Sequence, residues 1–131
     1  MKAMTFLMLM LGFSSQAVAQ STRDFPYYAI VSCGMYGNHI NVLACFTGRH
    51  VGTELELRNG DQYGLYKVYE ISQLGNETSE GLRINLRRNF ALKVQNSSDS
   101  LVLTVTILES ATNKKMFQKS AAKFGVVSVA N

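Results

Sequence analysis

Beyond residue 26 the apolar side chains return at every second position, in short runs bounded by Gly, Asn, Asp and Ser. A period of two marks strands with one face on a core, and helical spacing is scarce. The pattern predicts strands at residues 27–33, 38–46, 53–58, 61–71, 81–87, 90–96 and 101–109, and a C-terminal pair at 114–118 and 124–130. Residues 71–74 carry a weaker signal for one helical turn. Turns recur about every ten residues, as in sandwiches and small barrels. The expected fold is all-β: a single-domain antiparallel β-sandwich of about eight strands, immunoglobulin-like or jelly-roll-like.

Pairing follows from the turns. Asn59-Gly60 is a type I′ hairpin signal, and it predicts Leu57 opposite Gln62 and Leu55 opposite Gly64. Leu55 and Leu57 then share a face with Tyr66 and Val68, and Glu54, Glu56, Tyr63 and Leu65 take the other. A four-residue loop at 97–100 predicts a second hairpin, with Val94, Leu92 and Phe90 opposite Leu103, Val105 and Ile107. A slip of one residue there would bury Lys93. Between 81–87 and 90–96 the pattern fits either a three-residue connection or a crossing from one sheet to another.

The N-terminus breaks the alternation. Lys2 precedes an apolar run at 4–13, interrupted by Thr5 and Gly12, and Ala17-Val18-Ala19 offers a small-x-small cut site. That is the layout of a secretory signal, expected to be cleaved after Ala19. The run is shorter than the roughly 20 residues a spanning helix needs, and no later stretch reaches that length. The expected organisation is a signal peptide at 1–19 and one domain at 20–131, periplasmic or secreted, with no membrane span.

That compartment changes the reading of the two cysteines. Cys33 and Cys45 are expected to form a disulfide. The bridge would close a short loop, a constraint of about 3 kcal/mol in the chain-entropy model. It joins either two neighbouring strands across a turn at 34–41 or a loop and a strand.

Charge is unevenly spread. Residues 20–81 hold four basic and seven acidic residues, a net of −3, whereas 82–131 hold eight basic against two acidic, a net of +6. Arg83, Arg87 and Lys93 all fall on positions pointing away from the core. Such asymmetry steers anionic partners. Outside the cytoplasm the fitting partner is an envelope protein or an anionic envelope polymer, not nucleic acid. All six tyrosines precede residue 70, and tyrosine suits interfaces because it joins apolar area to a hydroxyl. Tyr27 and Tyr28 are adjacent and must face opposite ways on a strand.

Catalytic patterns are thin. The chain carries no G-x-S-x-G, H-E-x-x-H or phosphate-cradling glycine motif. His39 or His50 would be the base of any enzyme here. With Met35 and Met116 they are also the soft candidates for a metal, but nothing in their spacing gathers them, and both methionines are expected in the core. Glu54 and Glu56 share a strand face, as a solvated edge would have it. Asn76-Glu77-Thr78 and Asn96-Ser97-Ser98 match the glycan-acceptor pattern.

The expected function is therefore a non-enzymatic exported domain acting by protein–protein contact, without cofactor or metal. Its candidate surface is Tyr63, Tyr66, Tyr69, Arg83, Arg87, Arg88 and Lys93. The alternative is a small-ligand or glycan carrier whose inter-sheet cavity Tyr63, Tyr66 and Tyr69 would line.

Overall fold

A computed structural model describes residues 23–36, 38–46 and 54–131. The expected signal peptide, Arg49 and His50 lie outside them. Two antiparallel sheets pack face to face. The first has the order β5 (Asn76–Thr78), β6 (Gly81–Leu86), β1 (Tyr27–Met35), β8 (Val102–Glu109) and β9 (Lys115–Ala121), with β2 (Asn38–His39) folded back on the end of β1. The second has the order β10 (Val126–Ala130), β7 (Phe90–Gln95), β3 (Leu55–Asn59) and β4 (Gln62–Tyr66). The chain is an all-β sandwich with ten strands among the described residues.

Alternation explains the core. Ala29, Val31 and Cys33 from β1, Leu82, Ile84 and Leu86 from β6, and Leu103, Val105 and Ile107 from β8 form one wall. Leu55, Leu57, Leu92, Val94 and Val127 form the other. Tyr27 and Tyr28 do part: Tyr27 turns inward against Phe90, ring centroids 5.9 Å apart, and Tyr28 turns to the outer face of the first sheet.

Several expectations need correction. The hairpin between residues 90–96 and 101–109 does not exist: β7 pairs with β3 and β10, and β8 pairs with β1 and β9. Leu92, Val94, Leu103 and Val105 still share one buried core, but from opposite sheets rather than along a ladder. The chain changes sheet at Asn96–Ser98, where side chains take over backbone pairing. Asn96 is fully buried; its Nδ2 donates to the Leu101 and Ala121 carbonyls (2.8 and 3.0 Å), and its Oδ1 accepts the Ser98 N–H (2.9 Å). Ser98 Oγ accepts from the N–H groups of Ser100 and Leu101. The step from β6 to β7 is likewise a crossing between sheets.

The Asn59 hairpin exists two residues out of the expected register. Leu57 faces Gly64, Leu55 faces Tyr66, and Asn59 itself closes the ladder against Gln62. Gly60, with φ of 66°, is the first central residue of the turn, the position where a II′ turn requires positive φ. A shift of two preserves the faces, so Leu55 and Leu57 remain buried. Glu54, however, is buried rather than solvated.

Residues 38–46 are not one strand. After β2 comes a 3-10 turn, Val42–Cys45, begun by Asn41, whose Oδ1 accepts the Leu43 N–H at 2.8 Å. The run Val42-Leu43-Ala44-Cys45-Phe46 has no alternation for a strand to use. The strand expected to reach residue 71 stops at Tyr66. A short helix, α1 (Val68–Ile71), follows, with the Glu70 carboxylate accepting the Lys67 N–H at 3.2 Å, and a 3-10 turn covers Ser72–Leu74. The three-residue β5 was not expected. Met35 and Met116 are both exposed, not core residues.

Cys33 and Cys45 are bridged, Cα–Cα 5.8 Å. The bridge clips the 3-10 turn onto β1. No helix among the described residues is long and apolar enough to cross a membrane.

Candidate functional site

Residues 83, 85 and 87 alternate along and just past β6, so their side chains project to one side of it. The short partner β5 covers this strand only from Gly81 to Arg83. Beyond Arg83 the edge of the sheet opens into a notch. Its second wall is the tip of the β3–β4 hairpin in the other sheet. Asn59 fastens that tip to the edge, accepting the Arg87 N–H on Oδ1 (2.6 Å) and donating from Nδ2 to the Asn85 carbonyl (3.0 Å). The side-chain amide thus occupies the place a neighbouring strand would take.

The notch encloses about 280 Å³, and Arg83, Arg87, Asn85, Asn76, Gln62 and Phe25 are among the residues lining it. Each arginine rests on an aromatic ring. The Arg83 guanidinium lies 3.9 Å from the centroid of Tyr28, and that of Arg87 lies 4.9 Å from Phe25. Tyr28 is held in turn, its hydroxyl donating to Asn113 Oδ1 at 2.8 Å. A stacked guanidinium loses one face to the ring and keeps its in-plane N–H fork for an anion. Neither arginine makes an ion pair among the described residues. The other polar side chains of the notch, Asn59, Gln62, Asn76 and Asn85, are amides, which do not compete for the charge.

The other residues expected on an interaction surface do not join this group. Lys93 points out from the second sheet, opposite Glu56 and Ser128 on the strands to either side. Tyr63 is on that same outer face and donates to Glu56 Oε1 at 2.9 Å. The Tyr63 phenol is pushed above its ordinary value, first by that hydrogen bond. Tyr66 turns inward and packs on the core, and Tyr69 is exposed on α1. Tyr63 and Tyr66 therefore point to opposite faces of β4, and the three tyrosines line no common cavity. Arg88, in the crossing, borders a separate cleft with Tyr27, Pro26 and Glu109.

A second depression, of about 670 Å³, runs over the outer face of the first sheet. Its lining mixes the hydroxyls and amides of Ser32, Thr104, Thr106, Gln118 and Ser120 with the apolar Ile30, Val102 and Leu108. Polar members bond one another, Thr104 to Ser120 at 2.8 Å and Gln118 to Thr106 at 3.1 Å.

His39 borders that groove, but its ring is occupied. Nδ1 accepts the Cys33 N–H at 3.0 Å and so carries no proton, which leaves Nε2–H to donate to Glu77, 2.5 Å away. The same carboxylate oxygen accepts the Val42 N–H at 3.3 Å. His39 thereby ties β2 and the 3-10 turn to β5. Among the described residues no three His, Cys, Asp or Glu side chains gather as a metal site would need.

The arginines' outward alternation was legible in the sequence. Asn59, Gln62 and Asn76, which complete the notch, come from other strands, and no local pattern announced them. No family model, curated protein or solved structure matches this chain.

Proposed function

We propose that this is an exported, non-enzymatic β-domain, periplasmic or secreted, that works by protein–protein contact at the cell envelope. Its contact surface is the side of the first sheet that carries Arg83 and Arg87. One observation carries the reading: two guanidiniums are laid on aromatic rings at one notch, with no carboxylate of the described residues bonded to either. Exposed arginines held in place but unneutralised match the anchors that recur at interfaces, where arginine is enriched. The occupied ring of His39 also supports a role other than base catalysis.

Cross-linked capture from envelope extracts tests it. The protein should retain a defined envelope protein, and the double charge reversal Arg83→Glu with Arg87→Glu should abolish retention while Lys93→Glu, on the opposite face, leaves it intact. Retention that survives the double reversal would overturn the reading.

A second reading, a glycan- or small-ligand-binding domain, draws on the hydroxyls and amides lining the groove of the first sheet. Saturation-transfer NMR against neutral oligosaccharides tests it. Binding lost on Thr106→Val would favour it, and silence across a broad glycan set would remove it.

A further inference from the structure

We infer that the Arg83–Arg87 notch receives an extended acidic segment of a protein partner, one carboxylate on each arginine and an intervening side chain at Asn85. The inference rests on the contact reading above and adds the chemistry of the partner.

Spacing carries the first step. The Arg83 and Arg87 Cα atoms are four residues apart along and just past β6, about 13 Å at the usual strand rise. An extended partner chain with acidic residues at i and i+4 repeats that distance, and its residue i+2 falls at Asn85. Two guanidiniums from separate residues, each seated on its own ring, suit two carboxylates on one chain better than one compact anion.

Orientation carries the second. Tyr28 and Phe25 hold the guanidiniums over their rings before any ligand arrives, so less rotamer freedom is lost on binding. Arginine's planar fork takes carboxylates two bonds at a time. Phe25 and Leu74 at the notch offer apolar surface to the methylenes of glutamate.

The edge itself decides the mode. A partner cannot add as a strand beyond Arg83, because Asn59 already holds the Asn85 carbonyl and the Arg87 N–H. The segment is read through side chains, so its charge pattern matters more than its backbone.

Fluorescence anisotropy with a labelled peptide bearing two glutamates at i and i+4 tests this, with the glutamine version as control. The purified protein should bind the glutamate peptide and not the glutamine one. Arg83→Gln and Arg87→Gln should each weaken binding by about tenfold, the size expected for one charge-assisted contact. Arg87→Lys, which keeps charge but loses the fork, should fall between Arg87→Gln and wild type. Lys93→Gln should change nothing. Equal binding of both peptides, an equal loss on Lys93→Gln, or displacement by polygalacturonate at lower concentration than by the peptide would each overturn the inference. So would no binding by a wild-type protein whose circular dichroism is that of a folded sheet. In that last case the contact reading stands as long as envelope capture still depends on Arg83 and Arg87.

Discussion

Asn59 accepts the backbone N–H of Arg87 through its Oδ1 at 2.6 Å, joining the hairpin tip of one sheet to the open edge of the other. The same amide donates to the Asn85 carbonyl. Removing it leaves a strand edge with two unpaired groups. Asn59→Ala should lower stability by about 1–2 kcal/mol, two modest hydrogen bonds near the surface. Urea unfolding measures this. A midpoint unchanged from wild type would show that water replaces the amide without loss.

The neighbouring glycine is a separate test of the same corner. Gly60 takes a φ of 66°, and a Cβ there would come within 2.7 Å of the Arg87 side chain. Gly60→Ala meets both a backbone penalty of about 1 kcal/mol and a collision with Arg87. It should destabilise the protein and weaken acidic-peptide binding together, read by thermal melting and by anisotropy.

Asn96 holds the crossing between the sheets. Its side chain replaces three backbone pairings in a fully buried place. Asn96→Ala should cost about 2–4 kcal/mol, because it orphans buried carbonyls and an N–H. Asn96→Asp is worse: it turns a double donor into an acceptor facing two carbonyls, and the chain should fail to accumulate in folded form. The burial also bears on modification. Expressed through a glycosylating pathway, the folded protein should carry sugar at exposed Asn76 and none at Asn96, as glycopeptide mass spectrometry would report.

That same crossing shows where sequence reading loses its grip. The alternation of residues 90–96 and 101–109 correctly marked which side chains are buried, since burial depends only on period. It did not tell partner strands from facing strands, because an apolar residue is equally satisfied beside its neighbour or across a core. The deciding groups were the polar Asn96, Ser97 and Ser98, whose long-range bonds no local pattern encodes. The Asn59 turn went astray for a related reason: its side chain is more useful at the edge of β6 than inside the turn, so Gly60 takes the first turn position instead. The notch was half legible. Arg83 and Arg87 announced themselves by parity, and the rings beneath them did not.

The disulfide and His39 form one device at the end of β1. The bridge clips the 3-10 turn to the strand, and His39 accepts the N–H of Cys33 itself. Cys33→Ala with Cys45→Ala should remove about 3 kcal/mol. For a domain of this size that is a fall in melting temperature on the order of 10 °C or more. Dithiothreitol should reproduce the effect on the wild type. His39→Ala adds a smaller loss and frees β2 from Glu77, visible as faster amide exchange at Ile40, whose N–H is bonded to the Cys33 carbonyl. A double-cysteine variant that melts with the wild type would show that the core alone holds the turn.

Tyr63 gives a prediction in pH. Its phenol is raised above its ordinary value of about 10, first by the hydrogen bond to Glu56, then by desolvation and by the charge of that carboxylate, with Arg58 opposing. Folding therefore favours the protonated phenol. Its contribution to stability is fully present below about pH 10 and is lost as pH rises through the raised value. A difference titration by near-ultraviolet absorbance, wild type minus Tyr63→Phe, isolates this group from the other tyrosines. The midpoint should lie above that of a free phenol, and Glu56→Gln should bring it down, because the amide replaces both the charge and the best acceptor. Lys93 sits opposite Glu56 across the ladder. Lys93→Gln should then raise the Tyr63 midpoint slightly, since it removes a positive charge from the same sheet face. An unchanged midpoint would mean that solvent screens Lys93 from the phenol.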